Sequence, residues 1–146
     1  MKRPIVALLV VLPILMGVDA AKAPSTTDKE QLIARGQYLT QHVAMCVQCH
    51  SPHDNQGNLI PGQLFTGQDL RVKFMWNWDM TWAQRAPNIV GLPGYTHDMA
   101  IRLLTKGIAR TDKPPRRPMP PFRLSREDAE AVIAYLKSPF HEIDEK

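Results

Sequence analysis

The stretch Cys46-Val47-Gln48-Cys49-His50 constrains this chain more than any other. Two thiols three residues apart, followed at once by an imidazole, form the pattern by which a haem is attached covalently to protein. On one helical turn, positions three apart share a face, with Cβ atoms roughly 5–6 Å apart. Both sulfurs then reach the two vinyl groups along one porphyrin edge as thioethers. His50 lies beneath the ring and binds iron through a neutral imidazole nitrogen. Three other chemistries use parts of the pattern. A redox-active Cys-x-x-Cys pair needs a βαβ context, which the remaining sequence does not supply. A zinc site needs four nitrogen or sulfur ligands, and these three have no good fourth partner. A disulfide across so short a loop constrains little. The chain has only these two cysteines, so the pentad accounts for both. One covalent haem c with its iron is the expected cofactor.

The chain of 146 residues has room for one domain, and its first 23 residues read as an export signal. Lys2 and Arg3 precede the apolar run Ile5–Val18, and small residues follow it, the three-part layout of a secretory signal. The run contains Pro13 and falls short of the ~20 residues that a spanning helix needs. Cleavage is expected after Ala20 or after Ala23, and no cysteine lies nearby to carry a lipid. An uncleaved N-terminal segment is the remaining route to membrane association. Residues 24–146 then form the folded domain, expected in the periplasm, because covalent haem attachment in bacteria takes place outside the cytoplasmic membrane. Such a chain is small for a protein-only core, and a buried porphyrin adds apolar surface for short helices to pack on.

Three helices are legible. Thr27-Asp28-Lys29-Glu30 matches a capping box. Leu32, Ile33, Gly36, Leu39 and Val43 come after it at helical spacing, predicting a helix over 28–43. Gly36 in its middle costs about 1 kcal/mol against alanine, which close approach by another helix would explain. A helix over 96–106 has Ala100, Leu103 and Leu104 inward and stops at Gly107. The last helix, over 125–138, opens on Ser125-Arg126-Glu127-Asp128 and carries the stripe Ala129, Val132, Ile133 and Leu136 before Pro139. Between His50 and Thr96 lies a long run of turn formers that a haem can organise by giving it something to wrap. Inside it, Phe74, Trp76, Trp78, Met80 and Trp82 alternate with mostly polar residues, which suits a short strand or flap. This cluster is an apolar wall over the insertion or haem, or else a docking surface.

An iron centre that only carries electrons needs a second axial ligand, and a methionine thioether both fills the position and raises the potential. Met119 stands in Arg116-Arg117-Pro118-Met119-Pro120-Pro121-Phe122. The flanking prolines fix φ and remove donors, giving a stiff extended loop that holds a sulfur at low entropic cost. Met80 is the next candidate. Met45, Met75 and Met99 read as packing residues. His53 is too close to His50 to reach the opposite ring face, and His42, His97 and His141 suit the surface or helix caps.

Together these blocks resemble class I c-type cytochromes, and among them the single-haem domains that partner bacterial dehydrogenases. The likeness rests on Arg35-Gly36-Gln37-Tyr38-Leu39 through Cys49-His50-Ser51-Pro52, on Ala86-Pro87-Asn88-Ile89, and on Pro118-Met119-Pro120-Pro121-Phe122 with the helix after it. The 63–86 stretch has no counterpart in the pattern. The resemblance implies a small all-α fold of three to four helices wrapped around one covalent haem, with a long loop insertion. It implies that the first and last helices cross near Gly36 and Tyr135. It also implies that the backbone carbonyl of Pro87 accepts a bond from the second nitrogen of His50, orienting the ring.

The function expected is that of a periplasmic electron carrier, not an enzyme, with His50 and Met119 as axial ligands. The partner is a redox protein such as a dehydrogenase or terminal oxidase; nucleic acid does not suit an exported haem protein. Two alternatives are a resident haem subunit of a dehydrogenase or oxidase complex, and a ligand-binding or sensor domain with an open sixth position. The formal charge of +4 includes Lys2, Arg3 and Asp19 of the signal, so distribution says more than total. From Arg102 to Arg126 the cations Arg102, Lys106, Arg110, Lys113, Arg116, Arg117, Arg123 and Arg126 face Asp112 alone. That is either a solvated face or a patch that attracts an acidic partner.

Overall fold

Four α-helices carry the fold in the computed structural model, which describes residues 26–70 and 82–139. They are α1 (Thr26–Tyr38), α2 (Cys46–His50), α3 (His97–Lys106) and α4 (Arg126–Leu136). The strands among the described residues form one two-residue antiparallel ladder, β1 (Gln68–Asp69) against β2 (Arg85–Ala86). The small all-α architecture with a long insertion is as expected.

The C-terminal helix α4 is the centre of the core. Ser125 caps it by accepting the Asp128 N–H at 3.0 Å. The stripe Ala129, Val132, Ile133 and Leu136 is buried, and Ala131 and Tyr135 join it. Two neighbours explain so wide a face: α1 packs chiefly on α4, and α3 packs beside it. The crossing with α1 occurs at Gly36. A Cβ there would run into the Ala131 carbonyl and come within 2.7 Å of the Tyr135 Cβ. Arg35 Nη2 meets Asp128 Oδ1 at 3.0 Å on one side of the crossing, and Gln41 Nε2 donates to the Tyr135 hydroxyl at 2.9 Å on the other.

The first helix departs from its pattern. Its described part runs from Thr26, so Thr27 is already inside it, and over Leu39–Val43 it becomes π-helical. The Ala44 N–H bonds to the Leu39 carbonyl at 2.7 Å. A π turn takes an additional residue per turn and so rotates the later side chains about the helix axis. Thr40 and Gln41 turn inward, whereas Val43, expected on the core stripe, is 53 % exposed. The buried Thr40 hydroxyl is satisfied by the Gly36 and Gln37 carbonyls at 2.9 and 3.0 Å. Leu32 also faces out, because α1 has one main neighbour and buries a narrow stripe.

In α3, Thr96 accepts the Met99 N–H at 3.2 Å, and Gly107 ends the helix at φ 63°. Ala100 and Leu104 face inward as expected, but Ile101 is buried with them and Leu103 is half-buried.

Protein contacts order much of the 51–95 segment. Leu64 and Phe65 are buried, and Phe65 meets Tyr135 edge-on, with ring centroids 5.8 Å apart. The Phe65 N–H bonds to Ser51 Oγ at 2.9 Å, and its carbonyl accepts the Ile89 N–H at 2.9 Å. Gly91 N–H reaches the Leu136 carbonyl at 2.7 Å, tying the segment to α4. Beyond the ladder of β1 and β2, the Leu70 N–H bonds to the Gln84 carbonyl at 2.7 Å, so the two strands of the insertion enter and leave side by side. Of the aromatic cluster only Trp82 is described, and it is half-buried; Phe74, Trp76, Trp78 and Met80 lie outside the described residues, as does the expected signal segment. Among the described residues no helix is long and apolar enough to cross a membrane.

Candidate haem-attachment site

The site starts where the first helix breaks. Met45 adopts the left-handed conformation (φ 53°, ψ 32°), closing the π turn so that α2 begins afresh at Cys46. Met45 was expected to pack, but at this corner its side chain faces out and is 43 % exposed. The single turn of α2 is anchored by Val47, which is buried in the core. Cys46 and Cys49 lie one turn apart, both as free thiols, the first half-buried and the second exposed. Burial pushes the Cys46 thiol up to about 11. A thiol so reluctant to ionise is a poor attacking group for disulfide exchange.

His50 is buried, and its Nδ1 lies 2.8 Å from the carbonyl oxygen of Pro87. A carbonyl only accepts, so Nδ1 carries the proton and Nε2 bears the lone pair that a metal needs. Burial pulls the imidazole below its ordinary range, and the Pro87 bond offsets this only in part. The ring is therefore held neutral and in the ligating tautomer. Nε2 makes no hydrogen bond among the described residues.

Pro87 is itself held by a residue that, along the chain, looks like a turn former and nothing more. Gly67 donates its N–H to the His50 carbonyl at 2.7 Å. A Cβ on Gly67 would come within 2.7 to 2.9 Å of Asn88 N, the Ala86 oxygen and the Pro87 carbon. One glycine thus binds the backbone of the ligand and touches the backbone of the group that orients it. Gln68 adds a tie, its Nε2 donating to the Gln48 carbonyl at 2.7 Å. Gly67 also has φ +89°, a conformation L side chains avoid. Gly67→Ala is expected to cost about 2 kcal/mol or more of stability. It should also raise the midpoint potential, because a displaced Pro87 carbonyl no longer increases the basicity of His50. Redox titration with thermal melting checks this; an unchanged potential and melting temperature would mean that the 86–88 backbone yields freely.

Met119 is half-buried in the loop between α3 and α4. Its N–H bonds to the Arg116 carbonyl at 3.2 Å, Leu124 N–H reaches the Leu104 carbonyl at 3.0 Å, and Pro121 packs over Gly107. No hydrogen bond joins Met119 to the motif directly. One short segment connects them: the Ala83 N–H bonds to the Arg117 carbonyl at 2.7 Å, and four residues on, Pro87 accepts from His50.

Of the competing donors, His53 and His97 are engaged elsewhere, and the others lie at the surface, in α3 or outside the described residues. The His53 Nδ1 pairs with Gln68 Oε1 at 3.2 Å, and His97 Nε2 with Glu130 Oε2 at 3.0 Å. His42 is exposed, with its ring 5.8 Å from that of Tyr38. Met99 is half-buried in the first turn of α3. Met75, Met80 and His141 lie outside the described residues.

The residues present fit a covalently held haem. Two unpaired thiols lie one helical turn apart, and the adjoining imidazole is buried, neutral and oriented, with one nitrogen uncommitted. A thioether stands in a proline-stiffened loop tied to the same backbone segment. The model of the family described as cytochrome c oxidase, cbb3-type, subunit III matches residues 31–136 of the chain. That span runs from within α1 to the end of α4 and contains Cys46, Cys49, His50, Gly67, Pro87 and Met119. A search of curated proteins returns no match.

Proposed function

Because the chain belongs to the cbb3-type cytochrome c oxidase subunit III family of c-type cytochromes, and so to haem-based electron transfer, we propose that it is a periplasmic single-electron carrier with His50 and Met119 as axial ligands. Cys46 and Cys49 hold the haem as thioethers, and residues 1–23 direct export. The carrying observation is the 2.8 Å approach of His50 Nδ1 to the Pro87 carbonyl, which leaves Nε2 as the ligating atom.

When bound, the haem supplies a one-electron couple between Fe(II) and Fe(III). The chain supplies the rest. Cys46 and Cys49 prevent loss of the group on dilution. Pro87 fixes the His50 tautomer and increases the ring's basicity. The prolines around Met119 hold its thioether in place at low entropic cost. With His50 and Met119 both holding the iron, no substrate would reach it, so the reading is of a carrier and not an enzyme.

The ferric absorption spectrum of the holoprotein tests this. A methionine–iron charge-transfer band that survives added cyanide or carbon monoxide is expected. A spectrum without that band, or ready binding of either ligand, points instead to an open sixth position and a sensor or enzyme. The family's description favours one variant of the same chemistry, a resident subunit of an oxidase. Size-exclusion chromatography of the native protein separates the two, since a free monomer excludes the resident subunit.

A further inference from the structure

We infer that Ala83 is a positioning residue for the iron's sixth ligand, acting through its backbone N–H on the loop that carries Met119. The inference rests on the reading of Met119 as a ligand and adds what holds it in place. It is carried by how few bonds that loop can make. Of the eight residues 114–121, five are prolines, which have no N–H to give. Of the N–H groups left, that of Met119 is spent inside the loop, on the Arg116 carbonyl at 3.2 Å. Among the described residues, the 2.7 Å bond from the Ala83 N–H to the Arg117 carbonyl is the one backbone hydrogen bond that ties 114–121 to another part of the chain. It falls two residues before Met119.

Prolines give the loop a shape but not a place. Its two ends are pinned, by the Arg102–Asp112 pair at 2.7 Å before it and by the Leu124 N–H on the Leu104 carbonyl at 3.0 Å after it. A stiff segment held only at its ends can swing about them as one body, and a tie near its middle stops that motion. The donor is itself fixed. Next to Ala83 the Gln84 carbonyl accepts the Leu70 N–H at 2.7 Å, and Arg85 and Ala86 pair with Asp69 and Gln68 in the ladder. Arg85 Nη1 also meets Asp69 Oδ1 at 2.7 Å. The β1 side of the ladder is bonded in turn to the haem-attachment turn, through the Gly67 N–H on the His50 carbonyl and Gln68 Nε2 on the Gln48 carbonyl. The ladder stands between Ala83 and Pro87, so the tie to the Met119 loop can be lost while the bond to His50 is kept. A thioether competes with nitrogen donors for iron, so whatever resists the swing of the loop adds to the ligand's hold.

The test uses the haem-loaded full chain in the ferric state, titrated with imidazole while the methionine–iron charge-transfer band is followed. Ala83→Pro removes the N–H genetically, and lactic acid placed at position 83, which turns the amide into an ester, removes it without a ring. Ala83→Gly keeps the N–H and is the control. The imidazole concentration that halves the band is expected to fall about fivefold in the proline and ester variants, the effect of losing one net hydrogen bond. In the glycine variant it should stay within about twofold of the wild type. The NMR resonance of the His50 Nδ1 proton in the reduced protein should be unchanged in all three, which a general loosening of the strand would not allow. If Ala83→Pro does not fold, the ester decides. An ester midpoint within about twofold of the wild type, an equal shift in the glycine variant, or loss of the His50 resonance together with the shift would each overturn the proposal. A failure of the ligand reading is visible separately, as a wild type that has no charge-transfer band before any variant is made.

Discussion

Gly36→Ala is expected to lower the stability of the holoprotein by about 3 kcal/mol or more, and to lower its melting temperature by roughly 10 °C. Two effects oppose each other. Alanine is the better helix former, by about 1 kcal/mol at an interior position. Against this, the new methyl group would strike the Ala131 carbonyl and the Tyr135 Cβ. The first obstacle is backbone inside α4, with no rotamer to move out of the way, so α1 and α4 must separate. Separation also stretches the Arg35–Asp128 pair and the bond from Gln41 to Tyr135, which brace the crossing on its two sides. The steric loss therefore wins, and it is a large share of the roughly 5–15 kcal/mol that a domain of this kind has. Chemical denaturation of the reduced holoprotein measures it. A variant as stable as the wild type would mean that the two helices are not in contact at this residue.

Met119→Ala is expected to leave the fold largely in place and to change the metal's chemistry. The residue lies in a loop, half-buried, between backbone bonds at Arg116 and Arg117 that its side chain does not make. Loss of the side chain removes the thioether but not those ties. The charge-transfer band should disappear and carbon monoxide should bind. The midpoint potential should fall by on the order of 0.1–0.2 V, since axial ligands tune haem potentials over about 0.8 V and a methionine ligand raises them. Parallel melting and redox titration separate this from general damage: a collapsed melting temperature with the band retained would remove Met119 from the ligand set. Gly67→Ala shows the reverse pattern, because it acts through His50 and leaves the thioether alone.

Much of the molecule was readable along the chain because its determinants are local. The spacing in Cys46-Val47-Gln48-Cys49-His50 states its own chemistry, α4 announces itself through a cap that the structure uses, Ser125 on Asp128, and α3 through its stop at Gly107. The stripe Ala129, Val132, Ile133 and Leu136 of α4 followed from periodicity, and the helix's neighbours on two sides bury Ala131 and Tyr135 as well. For Pro87 the resemblance, not the residue pattern, pointed to the bond with His50.

Periodicity could not supply the features set by contacts between distant residues. The π turn at Leu39–Val43 changes the residues per turn, and no single residue type marks it; it moves Val43 out and Thr40 and Gln41 in. Phe65 sits among turn formers, with a left-handed φ of 62°, and its burial depends on Tyr135, seventy positions away. Gly67 reads as an ordinary turn residue until the 86–88 backbone is brought against it. The cationic stretch is plain in the sequence, but whether its charges are neutralised depends on where the carboxylates fold, and among the described residues none pairs with the cations between Lys106 and Arg123. Covalent attachment and the positions of α3 and α4 were thus determined along the chain, by spacing and end signals over a few residues. The tautomer of His50, the backbone clamp at Gly67 and the pairing of the surface charges were decided in three dimensions, because each is a matter of contact between segments that the sequence holds far apart.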